Sequence, residues 1–400
     1  MEVFHNGALI TDSGVIPDGL LMANGGRIEY AGPRRDDLIP PGAEHIDAGG
    51  LFLSPGFVDI HVHGGGGSDF MDANAPDIEN VFRYHAAHGT TSFCPTTITA
   101  SLEDTLAALA ALQSYANGPQ PVGRFLGAHI EGPYLAMTKR GCHLPEYVRN
   151  PDEAEWRQLL ERGPIATMTL APELPGARPL VEALRRRGVN PSVGHSEALY
   201  GEVQESLGWG VTHATHLYCA MTDALNNRWR MQPWLPRSGG IVEAVYLNDR
   251  LTSELITDGK HLSADMLKLA FRIKGYEKLA IITDAMRGAG MPDGEYTVGP
   301  RHGMRAIVRN GEARIPDGTA LASSIYPMNE MVRMFRELVG CPLWQAIRMA
   351  SLTPATIVGQ QDQIGSLAPG KLADVLIIDE QIQVKATYIG GRKLAATAAA

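Results

Sequence analysis

The 400-residue chain predicts an α/β fold: a closed (β/α)8 TIM barrel of parallel strands, with a small β unit closed by the two chain termini. Three observations carry this expectation. Eight short apolar, β-rich runs follow one another from Phe57 onward. Helical patterns lie between most of them. Polar residues of ligating type stand where the runs stop. Alternating strand and helix implies parallel pairing, because parallel neighbours need a crossover connection. An open doubly wound sheet is the rival. Only the barrel predicts that every strand end converges on one face.

The first strands fall at 3–10, 19–23 and 27–31, with Gly25-Gly26 as a hairpin turn and Gly32-Pro33 as a stop. The eight runs of the barrel are 57–60, 91–95, 125–128, 166–170, 191–194, 211–215, 252–256 and 279–283. Helices are expected at 76–88, 102–115, 152–162, 179–187 and 264–273, and two more at 327–338 and 343–350 finish the barrel. Strands return at 375–379 and 383–389, with Gly390-Gly391 as a turn. The division is therefore 55–356 for the barrel, with 1–54 and 357–395 forming the terminal unit.

Composition narrows the function. Apolar residues make up 44% and charged residues 20%, which suits a sizeable core and excludes a mainly disordered chain. A net charge of −9 argues against a general nucleic-acid binder. No signal peptide and no apolar run of membrane-spanning length are visible, so neither export nor a membrane is expected. Cys94, Cys142, Cys219 and Cys341 are far apart and form no CxxC. A reducing cytoplasm is the simplest setting.

His61 and His63 close the first run, His129 and Glu131 the third, His195 the fifth and His216 the sixth. Asp258 and His261 follow the seventh run, and Asp284 closes the eighth. Taken singly these are weak signals. A His-x-His pair does put both rings on one side of a strand. With 13 histidines in the chain, though, chance alone supplies roughly 0.4 such pairs. Glu131 alone could be a cap, and His195 a neighbour of the next helix start. Of His213 and His216, three apart, one faces the mouth; His216 stands at the run's end. Together they suit a divalent metal: one carboxylate and several imidazoles, with a vacancy for water, is the catalytic pattern. Such a metal lowers the pKa of water from about 15.7 to about 7, and a further carboxylate can act as general base. Metal-assisted hydrolysis is the predicted chemistry.

The segment Pro55-Gly56-Phe57-Val58-Asp59-Ile60-His61-Val62-His63-Gly64 resembles the opening strand of the amidohydrolase superfamily. Within it the chain resembles the N-acetylglucosamine-6-phosphate deacetylases, through Glu131-Gly132-Pro133-Tyr134-Leu135, Gly194-His195-Ser196, Thr215-His216-Leu217-Tyr218 and Ile282-Thr283-Asp284. The match runs over nearly the whole chain. The resemblance implies a barrel with a small β-sandwich made by both termini, and a homodimer. It implies Glu131, His195 and His216 as ligands of the main metal and His61 and His63 as ligands of a second. Asp284 would be the acid/base, and His143 would polarise the acetyl carbonyl. Cys142, Cys219, Ala220, Leu321, Ala322 and Ser323 would line the sugar site, with His261 on the sugar or its phosphate and Arg228 on the phosphate. Zinc is the first expectation for the metal; the same ligands accept iron, manganese or cobalt. The family usually has Asn where this chain has Cys219, and the arginine segment Asn226 to Arg230 is altered. A galacto isomer of the substrate stays open for that reason. Another amidohydrolase, such as a D-aminoacylase, is the rival enzyme. Many of those carry a metal-bridging lysine where this chain has Glu131.

Overall fold

The computed structural model describes residues 1–118, 122–226 and 236–395. Eight parallel strands form the barrel: β1 (Phe57–Val62), β2 (Thr90–Thr97), β3 (Ala128–Glu131), β4 (Ile165–Leu170), β5 (Asn190–Val193), β6 (His213–Ala214), β7 (Thr252–Ile256) and β8 (Leu279–Ile282). Parallel ladders link each strand to the next from β1 through β8. The cylinder is nearly closed. At the seam, β1 and β8 meet through Asp284 N donating to His61 O (2.8 Å) and Thr283 Oγ1 donating to Asp59 (2.5 Å).

Helices wrap the outside and bury one face each. Helix Ala75–Ala87 turns Ile78, Val81 and Phe82 inward, and helix Ala177–Arg186 does the same with Leu180, Val181 and Leu184. Their starts follow from capping chemistry. The side chains of Asn74, Ser101 and Asp152 accept from the backbone N–H of Asp77, Asp104 and Glu155, which satisfies first-turn donors that lack intrahelical partners. No described helix is long and apolar enough to cross a membrane.

The termini build one eight-stranded, mostly antiparallel sheet, with strands Val375–Ile378 and Phe52–Pro55 side by side and Glu2–Ile10 next to the latter. Alternate residues of a strand face opposite ways. Phe4 and Leu21 accordingly pack in one apolar cluster, and Val3, Leu20 and Met22 in another.

Three details depart from the sequence reading. The third barrel strand is displaced, so His129 and Glu131 lie within it rather than after it. The sixth strand is only two residues long, and His216 sits beyond its end. An antiparallel sheet of Gly294–Val298, Met304–Arg309 and Glu312–Arg314 follows β8 and was not expected. Its apolar side, with Val298, Ala306, Val308 and Ala313, packs with Met71, Ile98, Cys142 and Met286. Its other side carries charge, so the alternation is short and easily read as loop.

Candidate active site

The strand ends place the predicted side chains around one cavity of about 420 Å³. Glu131 is the last residue of β3; His195, His216 and Asp284 each stand just past the ends of β5, β6 and β8. Period two along β1 turns both His61 and His63 the same way. Glu131 Oε1 lies 3.1 Å from His195 Nε2 and 3.2 Å from His216 Nε2, and those two nitrogens are 3.0 Å apart. Beside this triple, Asp284 Oδ1 is 3.2 Å from His63 Nε2 and 3.6 Å from His61 Nε2. Glu131 joins the two groups, at 3.5 Å from His61 Nε2 and 3.4 Å from His63 Nε2.

Backbone strain concentrates here. Ten described non-glycine residues have positive φ, and six of them line this cavity: His195 (47°), His216 (27°), Tyr218 (75°), Ala220 (49°), Asp284 (45°) and Ser323 (65°). Each such residue costs on the order of 1–3 kcal/mol and persists only where its surroundings hold it. For His195 the hold is visible. Its Nδ1 donates to Lys139 O at 2.7 Å, and Glu173 accepts from Ser196 Oγ (2.7 Å) and Glu197 N (2.5 Å) in the same turn. Gly194, just before it, has no room for a side chain: a Cβ would come within 2.8 Å of Thr169 and Thr215.

These groups fit a divalent cation. His195 gives its Nδ1 hydrogen to a carbonyl, so Nε2, which faces Glu131 and His216, is the nitrogen left to bind a cation. His61 Nε2 is fully buried and has no hydrogen-bond partner among the described residues. Two sets of donor atoms, Glu131–His195–His216 and His61–His63–Asp284, are each compact enough to share one ion. A carboxylate with two imidazoles is a donor set of borderline hardness.

Burial and neighbouring charges set the protonation of the surrounding groups. Burial would push the Glu131 carboxyl up, but the imidazoles of His61, His143 and His195 hold it well below the usual range. Burial likewise opposes ionisation of Asp284, and His61 and His63 outweigh it. Burial lowers His143 to about 4, so the ring is neutral. Its Nδ1 lies 2.7 Å from Thr99 Oγ1 and accepts from Thr99 N at 3.3 Å; with Nδ1 accepting, the hydrogen is on Nε2, 3.3 Å from Glu131 Oε2. Burial opposes charge on His261, but Asp258, 2.8 Å from Nδ1, holds the imidazolium above its ordinary value. Burial pushes the Cys219 thiol up to about 12 and raises Cys142 as well, so both stay protonated.

Cys142, Cys219, Ala220, His261, Leu321 and Ser323 all line the cavity. Ala322 does not; it is buried in the apolar cluster under the antiparallel sheet. Arg228 lies outside the described residues. Sequence reasoning missed Thr99, Glu173 and Glu254. The first two act through contacts 44 and 23 positions away along the chain, and Glu173, though it stands in the motif Ala171-Pro172-Glu173, was given no role. Glu254 did leave a signal, a charge inside an apolar strand run.

Comparison with known proteins agrees with this geometry. The amidohydrolase family model matches residues 52–394. An N-acetylglucosamine-6-phosphate deacetylase of Lysinibacillus sphaericus is 34% identical over 354 residues, 88% of this chain and 87% of its own. An N-acetylgalactosamine-6-phosphate deacetylase of Escherichia coli O157:H7 is 34% identical over 387 residues, 96% of this chain and 97% of its own. The crystal structure of N-acetylglucosamine-6-phosphate deacetylase from Pasteurella multocida superposes with a TM-score of 0.89 at 30% identity, covering 99% of this chain and 100% of that one. The chain belongs to the amidohydrolase family, in the branch of the N-acetylglucosamine-6-phosphate deacetylases.

Proposed function

We propose that this amidohydrolase cleaves the acetamide of N-acetylglucosamine 6-phosphate, giving glucosamine 6-phosphate and acetate. The observation that carries the reading is the meeting of Glu131, His195 and His216 within 3.2 Å, beside Asp284, in a chain 34% identical to such deacetylases. Residues 55–356 are taken as the catalytic barrel, and 1–54 with 357–395 as the terminal unit.

Glu131, His195 and His216 would hold a divalent metal, zinc by preference of the donor set, and His61 with His63 would serve a second. When bound, the metal acidifies water and polarises the acetyl carbonyl. Asp284, kept ionised by its histidines, takes the proton of the attacking water at its carboxylate. It then returns that proton to the amine nitrogen as the C–N bond breaks, acting first as base and then as acid. His143, neutral with its hydrogen on Nε2, donates to the carbonyl oxygen as negative charge builds there. His261, carrying positive charge, faces the sugar or its phosphate. Cys142, Cys219, Ala220, Leu321 and Ser323 contact the sugar, and Arg228 is assigned to the phosphate. A cytoplasmic homodimer completes the reading.

One specific observation favours a second substrate. The galactosamine-6-phosphate deacetylase is equally identical over a longer share of both chains. An acetate-release screen with added metal over the gluco and galacto substrates, each with and without the 6-phosphate, tests both. Higher kcat/KM for the gluco phosphate supports the main reading. Higher kcat/KM for the galacto phosphate replaces it with the second. No acetate from any of the four ends both.

A further inference from the structure

Glu254 lies mid-strand in β7, fully buried, and the chemistry above does not use it. A carboxylate in such a place is costly unless its oxygens are all partnered. Its partners are specific. Oε2 faces His61 Nδ1 at 3.0 Å and accepts from the backbone N–H of His216 at 3.1 Å, while Oε1 faces His213 Nε2 at 3.1 Å.

Two consequences follow from acceptor chemistry. A carboxylate only accepts, so His61 Nδ1 keeps its hydrogen, and Nε2 is the nitrogen left to give a lone pair to a metal. That is the buried nitrogen without a hydrogen-bond partner, turned toward Glu131 and Asp284. The bond to His216 N anchors a residue held at φ 27°, whose Nε2 belongs to the other donor group. One oxygen thus touches both groups: the ring of one ligand candidate and the main chain of another.

We propose that Glu254 is a positioning residue, a single buried carboxylate that sets the tautomer of His61 and the backbone of His216 and so prepares both groups to take metal. This rests on the metal-hydrolase reading above. Outer partners of metal ligands typically contribute about 10–100-fold in metal affinity.

The test compares Glu254→Gln with Glu254→Met. Both match the volume of Glu, but only Gln keeps an oxygen for His61 and His216. Metal-free protein is titrated with Co(II), reading the visible d–d spectrum and the dissociation constants, with circular dichroism as a check on the fold. E254Q should stay within about threefold of the unsubstituted protein, and E254M should bind at least about tenfold more weakly with a changed spectrum. Equal cobalt binding by E254M and the unsubstituted protein, or equal loss in both variants, overturns the proposal. Should E254M not fold, long-range 1H–15N correlation on the unsubstituted protein decides instead. With zinc bound, a hydrogen on His61 Nδ1 supports the assignment, and a bare Nδ1 with the hydrogen on Nε2 overturns it. The functional reading fails separately, through absence of acetate release while cobalt binding and its rescue by Gln behave as stated.

Discussion

The two donor groups at the barrel mouth are built by different means. Glu131, His195 and His216 pack their ligating atoms to 3.0–3.2 Å, and both histidines sit on left-handed backbone. Loops past short strands create that geometry, and Lys139 O, Glu173 and Glu254 restrain it. His61 and His63 instead inherit their direction from the regular pleat of β1, and their contacts to Asp284 are looser, at 3.2 and 3.6 Å. In the proposed mechanism Asp284 also carries the proton, so the first group serves binding alone, whereas the second shares its carboxylate with the chemistry. Strained backbone carries two of the three residues of the first group, His195 and His216, and in the second group only Asp284.

The largest expected effect tests that division. Asp284→Asn should lower kcat by about 10²–10⁴-fold while metal content at the Glu131 group is kept. Near-normal turnover, or loss of all metal measured by mass spectrometry, would break the distinction. Next, His143→Gln should lower kcat by about 10²–10³-fold with little change in KM, because its hydrogen meets charge that develops only in the transition state. A rise in KM at constant kcat would make it a substrate-binding group instead.

The double substitution His61→Asn and His63→Asn should cost less, roughly tenfold in kcat, and remove at most about one metal per chain. If it instead abolished all metal binding, the two groups would be a single site. Smaller again is a pH effect at His261. Its charge is present below the raised pKa and lost above it. KM for the phosphorylated substrate should therefore rise as pH climbs past that value, and His261→Asn should flatten the rise. The smallest effect concerns stability. Burial lowers His85 to about 4 and His129 to about 3, so both are neutral in the fold. Below pH about 6.5 the unfolded chain takes up protons that these rings refuse. Asp59 and Asp69, raised by burial to about 7 and about 6, take up protons only in the fold and oppose the effect. His85→Gln should therefore shift the change in Tm between pH 7 and pH 5 toward greater stability at pH 5. A change in Tm unaltered by His85→Gln would contradict the buried, neutral state of that ring.

Much of the site was legible because periodicity and strand ends are local properties. His61 and His63 follow from period two, and His195, His216 and Asp284 from standing where an apolar run stops. The register of β3 was not, because a run of small and apolar residues from 125 to 128 gives no internal mark for where pairing begins. Glu254 shows the other limit. Its partner His61 is 193 positions away, and no pattern along the chain states that two such residues meet.

The amino-acid order by itself determined the alternation of strand and helix, the barrel it implies, and which polar side chains end its strands. These depend on spacing along the chain, which folding does not alter. Only the tertiary structure decided which ring nitrogen faces which oxygen, that burial lowers His143 while histidines lower Asp284, and that Glu254 touches both groups. Those properties depend on burial and on distances of a few ångströms between residues far apart in the chain, and they exist only once the cylinder has closed.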